Sequence, residues 1–215
     1  MKKWSEEVWQ MAEPIYKQIL ELPFVCELAL GTLSRERFLF YIKQDSIYVE
    51  NYAHVLAHVA SRLPEMAHME DFLKYALDGV AMERMLHEGY LGKEGRGDAK
   101  PTPTCLLYNS YESAMGLKPV EVEAAVILPC FWVYQKVGAD IISRCNENNP
   151  YSAWIKAYAD PYMEQSTQRA IEILDELADK ASPSVRAQMT EAFVNATRME
   201  WMFWHSAYNL ENWEI

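Results

Sequence analysis

The stretch FLFYIKQDSIYVENYAHVL, residues 38 to 56, repeats aromatic and aliphatic side chains every three or four positions. This spacing is typical of the buried face of an α-helix. Ser34 is suited to cap that helix at its start, and Pro64 stops it after Leu63. Asp45 interrupts the apolar face near its middle. The stretch therefore predicts a long buried helix that carries one charged side chain into the protein.

The other long segments show the same period near 3.6, and none alternates between polar and apolar residues as a strand does. The chain is therefore predicted to be all α-helical, with about seven or eight helices packed as a bundle. Besides the helix from Ser34 to Leu63, helices are expected over residues 4–22, 23–31, 65–91, 104–115 and 119–145, and two more begin at 160–161 and 182–183.

Proline, glycine and threonine mark local features of these helices. Pro14 is expected to bend the first helix, and Thr104 is expected to cap the helix over 104–115. The stretch GKEGRGDAKPTP, residues 92 to 103, is rich in glycine and proline and predicts a loop. Such a loop is either a lid or a plain exposed connection.

Composition limits the classes of function. The chain has 215 residues, half of them hydrophobic, and residues 1–215 are predicted to form one domain. A net charge of −11 leaves no basic surface for nucleic acid or an anionic membrane, so neither partner is expected. We find no secretory signal and no apolar run near the ~18 residues of a membrane helix, so a cytoplasmic location is expected. The four cysteines lack zinc-type spacing and are expected to be reduced: Cys26, Cys105, Cys130 and Cys145.

A second acid interrupts an apolar face near the C-terminus. Glu200 lies at the centre of a face that runs from Phe193 to Tyr208. A buried carboxylate is costly without a partner, so Asp45 and Glu200 must each meet a donor, a cation or a ligand. Burial is expected to raise the pKa of Glu200 towards neutrality, which suits proton exchange. The alternative is that each acid is satisfied by a tyrosine, or Asp45 by a helix end, and takes no part in chemistry.

The stretch VILPCFWVYQKVG, residues 126 to 138, places Cys130 directly after Pro129 inside an apolar helix. Cys130 and Tyr134 share one helix face. A proline inside a helix frees a carbonyl and bends the axis, which occurs at functional sites and also in plain packing. A buried cysteine alone is typical of packing, so this thiol gains interest only beside the two acids.

Two pairs of residues four apart suggest a metal site: His54 with His58, and Glu83 with His87. Di-iron bundles repeat Glu-x-x-His on two helices and add glutamates from two more, and this chain has no such repeat. We therefore expect no metal. A metal-dependent oxidase on the same helical scaffold stays open as an alternative, and so does a non-catalytic regulatory partner.

Five motifs resemble those of the TenA family of thiaminase II proteins, in the branch that carries an active-site cysteine. They are YIKQDSIYV (41–49), KPTPTCLLY (100–108), LPCFWVYQKVG (128–138), WIKAYADPY (154–162) and RMEWMFWHSAY (198–208). The match covers nearly the whole chain, with the motifs in family order. The resemblance implies a haem-oxygenase-like helical fold, a homotetramer, and no metal or organic cofactor.

Position by position, the resemblance implies that Cys130 is the nucleophile, Glu200 the proton donor, and Asp45 the group that holds the amino edge of a pyrimidine. Tyr48 and Tyr134 correspond to the pair that stacks on the ring. Three further residues fall where the family lines its pocket: Tyr108, Tyr158 and Phe203.

The resemblance also implies a reaction, the hydrolysis of 4-amino-5-aminomethyl-2-methylpyrimidine to 4-amino-5-hydroxymethyl-2-methylpyrimidine in thiamin salvage. Thiamin is a second candidate substrate. In the chemistry that we expect, Glu200 protonates the ring and the Cys130 thiolate adds to the carbon that bears the amino group. Ile47 departs from the tyrosine of a relative, which makes that side of the pocket less polar.

Overall fold

The computed structural model describes residues 2–92, 95–146, 148–158 and 160–214, except the side chains of Met82 and Glu83. Within these residues the regular structure is helical, with no strand. The helices are α1 (Trp4–Leu20), α2 (Pro23–Leu30), α3 (Arg35–Arg62), α4 (Met66–Leu91), α5 (Pro103–Met115), α6 (Val120–Arg144), α7 (Ser152–Tyr158), α8 (Pro161–Lys180) and α9 (Pro183–Tyr208). The prediction of an all-helical chain is confirmed, with nine helices in the described residues where seven or eight were expected.

Side-chain caps fix where several helices begin. Ser34 Oγ accepts a hydrogen bond from the Arg37 amide at the start of α3, as the sequence predicts. The expected caps of α8 and α9 are confirmed too, because Asp160 accepts from the Tyr162 amide and Ser182 accepts from the Val185 amide.

The cap predicted for α5 is wrong by two residues. Thr102, not Thr104, accepts from the Cys105 amide, and Pro103 occupies the first helical position. Thr104 is used differently, since its amide and its hydroxyl both donate to the Glu211 carboxylate, at 2.9 Å each. The chain after α9 is thereby tied to the start of α5.

Two other details differ from the sequence analysis. Helix α1 runs through Pro14 and ends at Leu20, two residues before the predicted end, because the turn that leads to Pro23 begins there. Helix α7 was missed, since seven residues are too few to show a helical period.

Helix α6 lies at the centre of the molecule and contacts α9, α8, α7, α3 and α2. Its length and apolar composition would suit a membrane span, so the expectation that no apolar run approaches the length of a membrane helix is corrected. However, 61% of its most apolar window is buried inside the protein, as in the core helix of a soluble protein. Helix α4 packs mainly on α3, so one side of α4 stays open. The arrangement leaves a cavity beside the middle of α6.

Candidate active site

The cavity has a volume of about 340 Å³ and is bounded by side chains from α3, α4, α6, α7 and α8. The buried part of its wall is formed mainly by aromatic residues and one acid: Asp45, Tyr48, Tyr52, Phe131, Tyr134 and Tyr158. Cys130, which is partly exposed, also lines the cavity. Exposed residues form its mouth, among them Ala81, Met85, Asp160 and Tyr162. A flat aromatic ligand suits such a cavity because its faces meet rings and its edge meets polar groups.

Asp45 reaches the cavity from the middle of α3 and is 3% exposed. The Tyr41 hydroxyl donates to Oδ1 at 3.3 Å, and His87 Nε2 lies 3.4 Å from Oδ2. The carboxyl group therefore has protein partners, as the alternative interpretation required. It also lines the cavity, so a ligand can reach it as well.

Glu200, on α9, is 1% exposed and lies behind the cavity wall rather than in it. Burial raises its pKa to about 8, although a 2.7 Å hydrogen bond from the Tyr108 hydroxyl opposes that rise. Glu200 is thus mostly a neutral acid at pH 7. Loss of the Glu200 proton would raise the pKa of the Cys130 thiol, because a carboxylate disfavours a nearby thiolate.

Cys130 lies one turn before Tyr134 on α6, and both line the cavity. Burial raises the pKa of the thiol well above its usual value, and the nearby Glu200 carboxyl raises it further. A hydrogen bond with Tyr48 acts in the opposite direction. The free protein therefore holds Cys130 as a thiol at neutral pH, and a nucleophilic role requires that sulfur be helped to lose its proton.

The expected stacking residues belong to two aromatic groups in the cavity wall. The Tyr48 ring lies 5.5 Å from that of Tyr52 and 4.8 Å from that of Tyr108. The Tyr134 ring lies 5.3 Å from that of Tyr158. Tyr108 and Phe203, which the resemblance places in the pocket, instead lie behind the wall and support Tyr48. Ile47 packs against the core.

Sequence reasoning left two residues of the site without a role. Tyr52 lines the cavity, and its hydroxyl donates to the Ile127 carbonyl at 2.8 Å, which ties α3 to α6 one turn before Cys130. Glu112, on α5, is fully buried and lies 2.8 Å from the Tyr48 hydroxyl. A signal for Glu112 existed, since it follows Cys105 and Tyr108 at helical spacing on a buried face.

The residues of the suggested metal sites are dispersed. His54 and His58 are exposed on α3, and His58 Nδ1 lies 2.6 Å from Glu123. His87 faces Asp45, while the side chain of Glu83 lies outside the described residues. Within the described part of the chain, no three or more histidine, cysteine or acidic residues are grouped so that they could hold a metal.

Of the loop that was a candidate lid, Gly92 and residues 95–103 are described, and none of them lines the cavity. Gln44 holds its end, because the Gln44 amide group donates to the Lys100 carbonyl and accepts from the Thr102 amide. Residues 93 and 94 of this loop lie outside the described residues.

Known proteins match this chain over most of its length. Residues 9–210 match the model of the TENA/THI-4/PQQC family. A Bacillus subtilis (strain 168) protein named aminopyrimidine aminohydrolase is 32% identical, and the match covers 98% of this chain and 92% of that protein.

Solved structures agree on the fold. A TenA homologue from P. horikoshii OT3 superposes with a TM-score of 0.84 at 25% identity, covering 97% of this chain and 99% of that one. A domain of unknown function with a heme oxygenase-like fold from Shewanella denitrificans OS217 gives a TM-score of 0.76 at 14% identity, covering 95% of this chain and 92% of that one. The second likeness concerns the fold alone and confirms the predicted haem-oxygenase-like architecture.

Proposed function

Because this chain belongs to the TENA/THI-4/PQQC family, we propose that it is an aminopyrimidine aminohydrolase, a hydrolase that acts on C–N bonds. The proposed reaction converts 4-amino-5-aminomethyl-2-methylpyrimidine and water into 4-amino-5-hydroxymethyl-2-methylpyrimidine and ammonia. This reaction returns a pyrimidine precursor of thiamin from a breakdown product. The named relative supports the class of reaction, and the cavity supports the chemistry.

The observation that carries the proposal is the presence of Cys130, Asp45 and Tyr134 in the wall of one aromatic cavity. A thiol is a strong nucleophile once deprotonated, and an acid beside an electron-poor ring raises the reactivity of that ring. In the proposed complex the ring lies against Tyr48 and Tyr134. Asp45 accepts from the ring amino group and so selects one orientation of the ring.

The identity of the product decides which carbon the sulfur attacks. The ring amino group is present in both substrate and product, so addition at the carbon that bears it, followed by loss of ammonia there, would give the wrong product. The expectation from the sequence is revised for this reason. In the proposed mechanism sulfur adds to the unsubstituted ring carbon C6, which lies between ring nitrogen N1 and the carbon that bears the aminomethyl group.

The first half of the reaction expels ammonia. Glu200 turns from behind the cavity wall towards the bound ring and donates its proton to N1, the thiol proton passes to the amine of the substrate, and the sulfur of Cys130 forms a bond to C6. The electron pair displaced from the ring then forms an exocyclic C=C bond, and the C–N bond to the protonated amine breaks. Ammonia leaves, and the pyrimidine stays bound to Cys130 as an electrophilic methylene compound.

The second half consumes water and restores the enzyme. The water oxygen adds to the exocyclic methylene, and one water proton returns to the sulfur as the bond to C6 breaks. The proton on N1 returns to Glu200, and the ring regains its aromaticity. One water has entered and one ammonia has left, so atoms and protons balance.

The test of this function is an ammonia-release assay on purified protein with product identification by mass. We expect release from 4-amino-5-aminomethyl-2-methylpyrimidine, with a product that keeps the ring amino group. Thiamin and the N-formylated aminomethylpyrimidine are assayed in parallel and rank the substrates. A protein that releases no ammonia, or forms a product without the ring amino group, would contradict the proposal.

We also propose that the protein is a cytoplasmic homotetramer. The four cysteines are free in the structure, as in a reducing compartment. On the open side of α4, three apolar residues share a helix face and are exposed: Met66, Leu73 and Leu77. Contact between copies of the chain would remove such a face from water.

A further inference from the structure

Cys130 needs help to lose its proton, and none of the described groups that act on its pKa is a cation. Its pKa is raised by burial and by the carboxyl groups of Glu200, Glu112 and Asp45, while only Tyr48 lowers it. Tyr52 is also a hydrogen-bond neighbour of the sulfur, but its hydroxyl proton is directed to the Ile127 carbonyl, 2.8 Å away. The hydroxyl of Tyr48 is therefore the donor that is left to stabilise a thiolate.

Tyr48 has a single hydroxyl proton and two neighbours that compete for it. Glu112 Oε1 lies 2.8 Å from the hydroxyl oxygen, and Cys130 forms the other hydrogen bond. If Glu112 were an anion, it would hold the Tyr48 proton and add a negative charge near the sulfur. If Glu112 is a neutral acid, its own O–H donates to the Tyr48 oxygen, and the Tyr48 proton turns to the sulfur. The separation of 2.8 Å serves either direction.

The surroundings of Glu112 favour the neutral acid. Glu112 is 0% exposed, and its Oε2 has no hydrogen-bond partner. No ion pair joins it to a cation of the described part of the chain. The titratable groups that face it are Tyr48, Tyr52, Cys105, Tyr108, Cys130 and Glu200. An anion with an unpaired oxygen would be very costly here. Burial accordingly raises the pKa of Glu112 well above its usual value.

We propose that Glu112 is a positioning residue that works as a neutral carboxylic acid: it donates to the Tyr48 oxygen and so directs the Tyr48 hydroxyl onto the sulfur of Cys130. Two donors in series strengthen the final hydrogen bond, and that bond becomes charge-assisted when the thiolate forms. The inference deepens the proposed function, on which its catalytic meaning rests. The chain of donors from Glu112 through Tyr48 to Cys130 is tested by the reactivity of the thiol, a measurement that does not require turnover.

The experiment follows the alkylation rate of Cys130 by iodoacetamide from pH 6 to pH 10, read on the Cys130 peptide by mass spectrometry. Glu112→Gln keeps a neutral donor of the same shape, so we expect its rate profile and its kcat/KM to stay within about threefold of the wild type. Glu112→Met keeps the volume but removes the donor. We expect alkylation near pH 8 and kcat/KM to fall about tenfold, with the thiol profile shifted to higher pH.

Two further variants separate this role from plain packing. Because Glu112 acts through Tyr48, Tyr48→Phe should slow alkylation at least as much as Glu112→Met, and the double variant should be no slower than Tyr48→Phe. Tyr111→Phe is the matched control: Tyr111 adjoins Glu112 on α5 but bonds to Asn195, so its loss should leave the profile unchanged. Circular dichroism checks that each variant is folded.

The possible outcomes are distinct. A Glu112→Gln variant as impaired as Glu112→Met would overturn the proposal and make Glu112 an ionised base. An unchanged profile in Glu112→Met, even with reduced thermal stability, would overturn it as well and leave only a packing role. A wild-type protein that releases no ammonia from the aminomethylpyrimidine would instead remove the proposed function, while the alkylation result would still report on the donor chain.

Discussion

At the scale of single residues, the site depends on acids that the protein keeps protonated. Glu200 and Glu112 are both buried near the thiol of Cys130, and burial raises the pKa of each. Asp45 differs because Tyr41 and His87 lie against its carboxyl oxygens. Similar carboxyl groups thereby take different roles through their surroundings alone.

Glu200→Gln tests the acid that we assign to the ring nitrogen. General acid catalysis contributes about 10²–10⁴-fold, so kcat/KM should fall by that factor. In the wild type, activity should decline as the pH rises through about 8, because Glu200 then loses the proton that it donates. Steady-state ammonia release from pH 6 to pH 10 measures the fall in kcat/KM of the variant and the pH dependence of the wild type. Glu27→Gln is the matched control, since Glu27 accepts a 2.7 Å hydrogen bond from the Tyr208 hydroxyl and does not line the cavity. A similar fall in kcat/KM in Glu27→Gln would contradict the assignment.

The same acid affects stability with a defined sign. A carboxyl group whose folded pKa is raised binds protons more tightly in the folded protein than in the unfolded chain. The contribution of Glu200 to folding stability is complete below its unfolded pKa near 4.5, and it is lost as the pH rises to its folded pKa of about 8. We therefore expect Glu200→Gln to gain stability relative to the wild type between pH 5 and pH 8, as measured by urea unfolding. An equal difference at both pH values would show that Glu200 is not protonated in the folded state.

At the scale of helices, the position of Tyr158 depends on how closely α7 approaches α6. A Cβ added at Gly138 would lie 2.8 Å from the Tyr158 carbonyl oxygen and 2.9 Å from its carbonyl carbon. Both are backbone atoms, so they cannot swing aside as the end of a side chain does. Glycine at this position therefore lets α7 bring Tyr158 against Tyr134 in the cavity wall.

Gly138→Ala should push α7 away from α6. We expect a loss of about 1–3 kcal/mol of unfolding free energy and a severalfold rise in KM, because Tyr158 moves while Cys130 stays in place. Urea unfolding and steady-state kinetics measure the two effects. Gly89→Ala on α4 is the control, since nothing lies within 4 Å of its added Cβ and alanine favours a helix. Equal effects at the two positions would refute the role given to the close contact.

The helix ends show what the sequence predicts well. Ser34, Asp160 and Ser182 were predicted as caps because capping depends on neighbours within three residues. Convergence of different helices is harder to predict, because no local pattern reports which faces meet. Asp45 and Glu200 stood out as acids on apolar faces, yet the pairing of Glu112 with Tyr48 requires the packing of α5 against α3. The placement of Tyr108 and Phe203 behind the wall depends on that packing too.

At the scale of the whole molecule, α4 connects the cavity to the outer surface. Tyr75, Gly79 and Met85 of α4 border the cavity, and the face of α4 with Met66, Leu73 and Leu77 is open to solvent. A partner copy seated on this face would lie beside the cavity mouth. Assembly through this face is therefore expected to affect how a substrate enters the cavity.

Leu77→Glu tests this face, because Leu77 is 73% exposed and has no role in the core of one chain. If copies of the chain meet here, a buried charge weakens their contact, and light scattering after size exclusion should show smaller assemblies. Leu117→Glu is the control, since Leu117 is 93% exposed and lies after α5. An unchanged assembly in Leu77→Glu would exclude this face as the interface.

The central claim is that the sulfur of Cys130 forms a covalent bond to the pyrimidine ring. The most direct measurement is ammonia release by Cys130→Ala beside Cys145→Ala, with pyrimidine binding followed by calorimetry on the same preparations. Cys145 is a free thiol that does not line the cavity. We predict that Cys130→Ala binds the pyrimidine but releases no ammonia above background, while Cys145→Ala works as the wild type does. Undiminished ammonia release by Cys130→Ala would contradict the account.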